Sequence, residues 1–447
     1  MFILKRGIEM TLKERIIKKE ANIGVIGLGY VGLPLAIAAS LSGYKVTGID
    51  TDKKKIINIL LGRSYIKGIE DSIIVEASKS GNLIVTHNIK RLESMDVLII
   101  CVPTPLDKEH NPDVTFINEV VTNIKKYSKK NCLIILESTT YPGTTQELIK
   151  EELDKLGWAL NEHYNLCFSP ERVDPGNKKY GLRNTPKVVG GISKECTELG
   201  ALFYKEITDN VKCVSSASVA EMAKLLENTF RFINIALVNE LSVMCDKMGI
   251  NIWEVIDAAA TKPFGFMEFF PGPGVGGHCI PIDPIYLNWR AKSYNVQSEL
   301  IKLSTQINNS MPEYVVNSII NILKKSDLEN CKILVIGVAY KRDIDDIRES
   351  PAIPMIKSLK NYKAGVDFYD PYIKEIDVNN EILYSIDYLN KDLSEYDCII
   401  IVTNHTDINY NYISQNGKMI YDTRNSFNMI SGNIITLGGG LSVNENV

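Results

Sequence analysis

The sequence predicts an α/β protein built as two Rossmann-like domains joined by a long central helix. Three observations carry this. Residues 22–50 read as strand, glycine turn, helix and strand. A second apolar strand with a glycine at its end, Lys332-Ile-Leu-Val-Ile-Gly-Val338, opens another unit of the same kind. Between them Ala217 to Gly249 runs without an internal proline or glycine, long enough for a helix of ~50 Å.

Ile23–Ile26 is a short apolar strand, followed by Gly27-Leu-Gly29-Tyr30-Val31-Gly32 and the helical run Leu33–Ser42. A second strand, Lys45–Ile49, ends at Asp50. This is a dinucleotide fingerprint in its proper setting. Gly27 permits the tight turn, Gly29 lets a pyrophosphate reach the backbone, and Gly32 lets helix and strand pack closely. The helix N-terminus offers N–H groups and a positive dipole to phosphates. Asp50 is placed to accept from a ribose 2′-hydroxyl, which favours NAD over NADP. Further strands at Asp96–Cys101 and Cys132–Leu136 end in polar loops carrying Thr104 and Thr139. Loops after parallel strands line the cofactor crevice, so both threonines are candidate contacts. Leu166 to Asn177 reads as a strand running into a loop with two acids, Glu171 and Asp174.

On the long helix, Ser218-x-x-Glu221 offers a capping box. Glu221, Lys224, Asn228, Arg231 and Asn234 share a polar stripe at spacings of three and four. Met222, Leu225, Leu226, Phe230, Ile233 and Leu237 make the rest apolar. The expected arrangement buries the helix on most sides, turns the stripe into a cleft and pairs the helix with its twin in a homodimer or larger homo-oligomer. More helix is expected between Ile280 and Leu323. The last unit has further strands near 365–369 and 397–402 and one glycine, Gly337, in its first turn. Lacking the three-glycine pattern, it should take a different, phosphate-bearing ligand, with Lys341, Arg348 and Arg424 placed to supply positive charge.

Composition bounds the rest. The chain has 447 residues, 45% hydrophobic and 23% charged, with a net charge of −4, so nothing argues for nucleic acid. No apolar run approaches a membrane span, and Met1–Glu20 lacks the hydrophobic stretch of a secretory signal. That segment reads as an irregular tail leading into a turn or two of amphipathic helix, with Met10 as an alternative start. Nine scattered cysteines without a CxxC pair fit a reduced, cytoplasmic setting. The five histidines show no metal-ligand spacing, so no metal is expected.

The run Pro271-Gly-Pro-Gly-Val-Gly-Gly-His-Cys279-Ile-Pro-Ile-Asp283 cannot be a helix or an ordinary strand. It is a shaped loop of small side chains with a cysteine at its end, a candidate nucleophile. Oxidising an alcohol needs no thiol. Oxidising an aldehyde to an acid can use one, because a thiohemiacetal turns the carbonyl carbon back into a hydride donor. The resulting thioester needs a base or a positioned water, and each oxyanion needs a donor.

Taken in order, Gly27–Gly32, Ser169-Pro-Glu171, Lys224-x-x-x-Asn228, Gly276-Gly-His-Cys279-x-x-x-Asp283 and Gly337-Val-Ala-Tyr-Lys341 resemble the UDP-glucose/GDP-mannose dehydrogenases. The resemblance runs from about Asn22 to Arg424. It implies oxidation of a nucleotide-sugar C6 alcohol to the carboxylate with two NAD, in a dimer or larger assembly. It implies a tail at 1–20, an NAD-binding domain at 21–215, a central helical dimerisation region with the cysteine loop at 216–320, and a UDP-sugar-binding domain at 321–447.

Carried over residue by residue, the resemblance makes Cys279 the nucleophile, with Lys224 and Asn228 stabilising the alkoxide and thiohemiacetal oxygen. Glu171 helps activate the hydrolytic water, Thr139 holds it, and Asp283 orients Lys224 and a water. Asp50 and Lys55 take the adenosine ribose and Arg348 the cofactor, beside Gly27, Gly29, Tyr30, Val31, Gly32 and Thr104. Lys341 and Arg424 contact the sugar nucleotide, together with Arg231, Gly276 and the catalytic face of Glu171, Lys224 and Asn228.

The chain departs from the UDP-glucose members. Pro175 stands where they have a second glutamate, His278 where they have serine before the cysteine, and Ile282 where they have lysine. Their Arg-Ile-Gly segment is here Pro263-Phe-Gly265. The runs Ser169–Asn177 and Lys262–Phe266 look like the branch acting on UDP-N-acetylglucosamine. UDP-glucose and UDP-N-acetylmannosamine are the alternatives.

Overall fold

A computed structural model of the chain describes residues 10–173, 177, 179–427 and 432–440. It divides into two compact units. One comprises the residues up to Glu227 with Ile285–Tyr294, the other Asn228–Pro284 and the residues from Asn295 onward.

In the first unit, eight strands form one sheet: β1 (Asn22–Ile26), β2 (Lys45–Ile49), β3 (Leu83–Thr86), β4 (Val97–Ile100), β5 (Cys132–Leu136), β6 (Tyr164–Phe168), β7 (Lys187–Gly191) and β8 (Val211–Cys213). Their order is β3-β2-β1-β4-β5-β6-β7-β8. Every neighbouring pair is parallel except β6 with β7. The order reverses between β1 and β4, and ligands of such sheets sit beyond the strand ends at that point. Strands buried on both faces read as unbroken apolar runs, as β4 and β5 do. Alternate residues feed two cores: Val97, Ile99, Leu133 and Ile135 on one face, Leu98, Ile100, Ile134 and Leu136 on the other. Each such side chain contributes roughly 1.5–3 kcal/mol by leaving water.

The short amphipathic helix expected near the N-terminus is present. Thr11 and Glu14 form a reciprocal capping box on the helix Leu12–Ile17, and Leu12 and Ile16 join the first core. Residues 1–9 lie outside the described residues.

The second unit holds β9 (Lys332–Ile336), β10 (Gly365–Tyr369), β11 (Glu375–Val378), β12 (Glu381–Tyr384), β13 (Cys398–Ile401), β14 (Ile420–Asp422) and β15 (Ile434–Thr436). Five of them form a parallel sheet, β10-β9-β13-β14-β15. The other two make an antiparallel hairpin closed by Asn379 and Asn380, both with positive φ, the geometry that tight hairpin turns require.

The long helix spans Ala217–Met248, 32 residues. The capping box expected at Ser218 and Glu221 does not form. Ser216 supplies the cap, its Oγ accepting from Val219 N at 3.2 Å. Ser218 already lies inside the helix, and Glu221 is turned inward to other partners. Met222, Leu226, Phe230 and Leu237 are exposed along the helix in the single chain, on the apolar side where pairing with a twin is expected.

Candidate active site

In the first unit the glycine turn has the shape its sequence predicts. Gly27 has φ +91°, and a side chain there would collide with the Cys101 carbonyl at the end of β4. A Cβ on Gly32 would strike the Gly27 carbonyl. A Cβ on Gly29 would meet nothing within 4 Å, so this part of the turn faces open space. The helix Gly32–Leu41 begins here with no side chain capping it, with Tyr30 exposed and Val31 half-buried beside it. Asp50 closes the turn: it accepts from Leu28 N and Asp52 N, both at 2.8 Å, and pairs with Lys55 at 3.0 Å. An open glycine face, an uncapped helix start and an acid at the end of β2 together fit a dinucleotide. Thr104 is buried in the loop after β4, and Thr139 is half-buried after β5.

Two acids of the first unit converge on one lysine. Lys187, at the start of β7, reaches Glu137 at 3.0 Å and Glu171 at 3.2 Å. Its side chain is 3% exposed and those of the acids 0% and 14%. Tyr204 donates to Glu137. Glu171 also accepts from Arg172 N at 2.7 Å and Val173 N at 2.6 Å. Burial alone would raise the Glu171 carboxyl, but Lys187 and these N–H groups outweigh it and hold it below the ordinary range. For Glu137 burial wins, and its carboxyl is pushed up. Asp174, beside this loop, lies outside the described residues. Glu221 is fully buried and accepts from Gly143 N and from the N–H and hydroxyl of Thr145. It thereby anchors the loop beyond Thr139. The sequence reading missed Glu137, Lys187 and Tyr204, because only the sheet order brings them together. Lys187 starts an apolar run, Lys187-Val-Val-Gly-Gly191, that gave the one signal of a buried position.

In the second unit Cys279 ends its loop with an exposed thiol, whereas seven of the nine cysteines are buried. The Cys279 carbonyl accepts from Ile282 N at 3.2 Å and Asp283 N at 2.9 Å, a turn that leads directly into the helix Asp283–Lys292. Asp283 is buried and accepts from the Asn228 side-chain amide. This bond joins the cysteine loop to the long helix, on which Lys224 lies one turn before Asn228. Lys224 is half-buried and Arg231 exposed.

The glycines of the loop let it press on the second sheet's turns. Gly277 has φ +93°, and a Cβ there would fall 2.7 Å from the Tyr340 ring. A Cβ on Gly276 would meet Tyr340 and the Glu349 carbonyl, and one on Gly272 the Arg424 guanidinium. Gly277 N donates to Arg348 O at 2.9 Å. The Arg348 side chain is held by Asp346. Burial, with the Arg348 charge second, draws the His278 imidazole below its ordinary range. Arg424 donates from Nε to Val402 O, and burial lowers its guanidinium to about 10, against the opposing charge of Asp422. Lys341 is half-buried in the turn after β9. Among the described residues no group of three or more His, Cys, Asp or Glu could hold a metal. Among them also, no helix is long and apolar enough to cross a membrane.

The dinucleotide turn of the first sheet marks the class, an NAD-dependent oxidoreductase. Three family models match along the chain: the NAD binding domain of the UDP-glucose/GDP-mannose dehydrogenase family at residues 21–208, its central domain at 218–310 and its UDP binding domain at 334–429. The chain belongs to that family, and its reaction is the NAD-dependent oxidation of a UDP-sugar. The UDP-N-acetyl-D-mannosamine dehydrogenase of Methanococcus aeolicus is 35% identical over 92% of this chain and 93% of its own. The UDP-N-acetyl-D-glucosamine 6-dehydrogenase of Pseudomonas aeruginosa is 36% identical over 87% and 92%. Among solved structures, the UDP-D-ManNAc dehydrogenase of Pyrococcus horikoshii superposes with a TM-score of 0.85 at 33% identity, covering 94% of this chain and 100% of its own.

Proposed function

We propose that the chain is a UDP-N-acetylhexosamine 6-dehydrogenase that carries the C6 alcohol to the carboxylate through a covalent adduct on Cys279. The observation that carries this reading is the exposed Cys279 thiol, set before a helix start and tied through Asp283 to Asn228. UDP-N-acetylmannosamine is the preferred epimer, because relatives bearing that name align over some nine-tenths of the chain. UDP-N-acetylglucosamine is the second reading. It is supported by the Pseudomonas relative and by the runs around Glu171 and Pro263, although Asp174 to Gly176 lie outside the described residues.

Gly27–Gly32, Asp50, Lys55, Thr104 and Arg348 would hold NAD, which would supply the hydride acceptor for each oxidation. The chain's own groups do the rest. Lys224 and Asn228 stabilise the C6 alkoxide as the alcohol gives up its proton to solvent, and loss of the C6 hydride then leaves the aldehyde. The Cys279 thiolate then adds to the aldehyde, and the same two donors hold the thiohemiacetal oxygen. A carbon bearing that oxygen can release a second hydride, which leaves a thioester on Cys279. Glu171 takes a proton from a water held by Thr139, and that water cleaves the thioester and frees the thiolate. Asp283 keeps the Asn228 amide oriented. Lys341 and Arg424 meet the diphosphate, with Arg231 and the close-packed backbone at Gly276 completing the sugar-nucleotide contacts.

A panel of UDP-sugars tests this. The expected result is two NADH per molecule of a UDP-N-acetylhexosamine, with kcat/KM highest for the mannosamine epimer. A yield of one NADH per sugar would remove the thioester from the mechanism, and a preference for UDP-glucose would remove the substrate class.

A further inference from the structure

The buried lysine of the first unit has no part in the reaction steps proposed for the chain, yet its surroundings are costly to build. Lys187 is almost wholly enclosed and lies between two carboxylates. Isolated buried ammonium groups are so unfavourable that they are kept only where partners fix them. We propose that Lys187, clamped by Glu137, is a positioning residue that turns the Glu171 carboxylate and keeps it ionised as the base of the hydrolytic step. This rests on the reading of Glu171 as that base.

The geometry assigns each oxygen a task. Oε1 of Glu171 accepts two backbone N–H groups, from Arg172 and Val173. Among the described residues, Oε2 accepts from Lys187 at 3.2 Å and from no other group. A carboxylate oxygen has two acceptor positions, so Oε2 retains one for a water. The charge of Lys187 lowers the affinity of that carboxyl for protons, and the bond to Lys187 fixes the carboxyl plane. Glu137 holds Lys187 from the other side, and Tyr204 donates to Glu137. Both contacts fall on Oε1 of Glu137, and among the described residues its buried Oε2 has no hydrogen-bond partner. Among the described residues, the titratable groups around the trio are Tyr204, Cys101 after β4 and Cys167 on β6. Burial pushes both thiols up, so neither adds charge near neutrality. Arg172, next to Glu171, is engaged elsewhere by Glu227 at 2.7 Å.

The test is the pH dependence of thioester hydrolysis, read as the rate at which the Cys279 adduct disappears in rapid-quench mass spectrometry of the full-length enzyme. Without the lysine the acid limb should move up by about one pH unit or more, with the rate recovering at higher pH. Lys187→Met should show this shift, and Lys187→Arg should restore the wild-type limb. A residue that merely supported the fold would lower the rate at every pH alike. Should Lys187→Met fail to fold, Lys187→Met with Glu137→Leu replaces the buried pair by apolar groups, a change that folds tolerate; the same upward shift is expected. An unmoved limb in whichever variant folds overturns the role of Lys187. Glu171→Gln separates the two readings: it should slow adduct loss about a hundredfold. Wild-type hydrolysis by Glu171→Gln would overturn the base itself, and the lysine's role with it.

Discussion

Cys279 differs from most of the other thiols in this chain in being exposed and in standing just before a helix start. Cys101, Cys132, Cys167 and Cys398 are enclosed, and burial raises their pKa, so they serve as small apolar side chains. Cys279→Ser should lower acid formation by roughly a thousandfold or more, on the scale seen when a covalent nucleophile is removed. NADH yield and intact-protein mass would check it; wild-type turnover would sink the covalent route. Arg424 makes a second case. Its burial lowers the guanidinium to about 10, with the Asp422 charge opposing, and on the proposed function it meets the diphosphate. Arg424→Gln should raise KM for the UDP-sugar about tenfold or more, the worth of a charged hydrogen bond, and leave KM for NAD near wild type. A change confined to the NAD term would show that Arg424 serves the other ligand.

Among the elements, the first turn of each sheet is closed by the same device. Asp50 at the end of β2 accepts from Leu28 N, and Asp370 at the end of β10 accepts from Val338 N at 2.7 Å and Ala339 N at 3.0 Å. The difference lies in what else each acid meets. Asp50 pairs with the half-exposed Lys55, whereas Asp370 faces the buried His405 at 3.0 Å. His405 Nδ1 accepts from Asp343 N, so Nε2 carries the proton that Asp370 receives. The second turn is thereby sealed, in keeping with its missing glycines. Burial raises the Asp370 carboxyl, but His405 and the N–H donors outweigh it and leave it below its ordinary value of 3.8. Its unfolded pKa is then the higher one. The stabilisation is complete above pH 3.8 and is lost as pH falls through the lowered folded value. Asp370→Ala should cost about 3 kcal/mol near neutrality and flatten the acid limb of unfolding, measured by denaturant titration across pH. An unchanged acid limb would show that Asp370 does not govern it. The long helix depends on a smaller contact: Ser216→Ala removes its cap and should cost about 1 kcal/mol.

For the whole molecule, the exposed face of the central helix bears on assembly. Met222, Leu226, Phe230, Leu237, Met244 and Met248 are each at least 39% exposed along it. An apolar stripe of that length on a lone chain invites association, and the expected occupant is a second copy across a two-fold axis. Analytical ultracentrifugation at micromolar concentration should show a dimer or a multiple of it. Leu226→Glu with Leu237→Glu should shift the protein toward monomer. A fully active wild-type monomer would refute the pairing.

Much of this protein was legible along the chain because its signals are local. A glycine turn needs particular residues at particular positions, whatever lies elsewhere; Gly27 shows this with its positive φ and its contact with the Cys101 carbonyl. The second domain announced itself by one apolar strand ending in Gly337, and the long helix by its lack of breakers. The capping box at Ser218 was misread because Ser216 and Ser218 offer the same side chain two residues apart, and only the helix start decides between them. What lay beyond the sequence was every partnership across the sheets. Glu137, Glu171 and Lys187 are far apart in the chain and meet only because β5, β6 and β7 are neighbours. Asn228 finds Asp283 in the same way, across 55 residues. Motif spacing records where a residue stands on its own element. Charge pairing depends on which elements lie side by side, and that order is set by the packing of the whole apolar core.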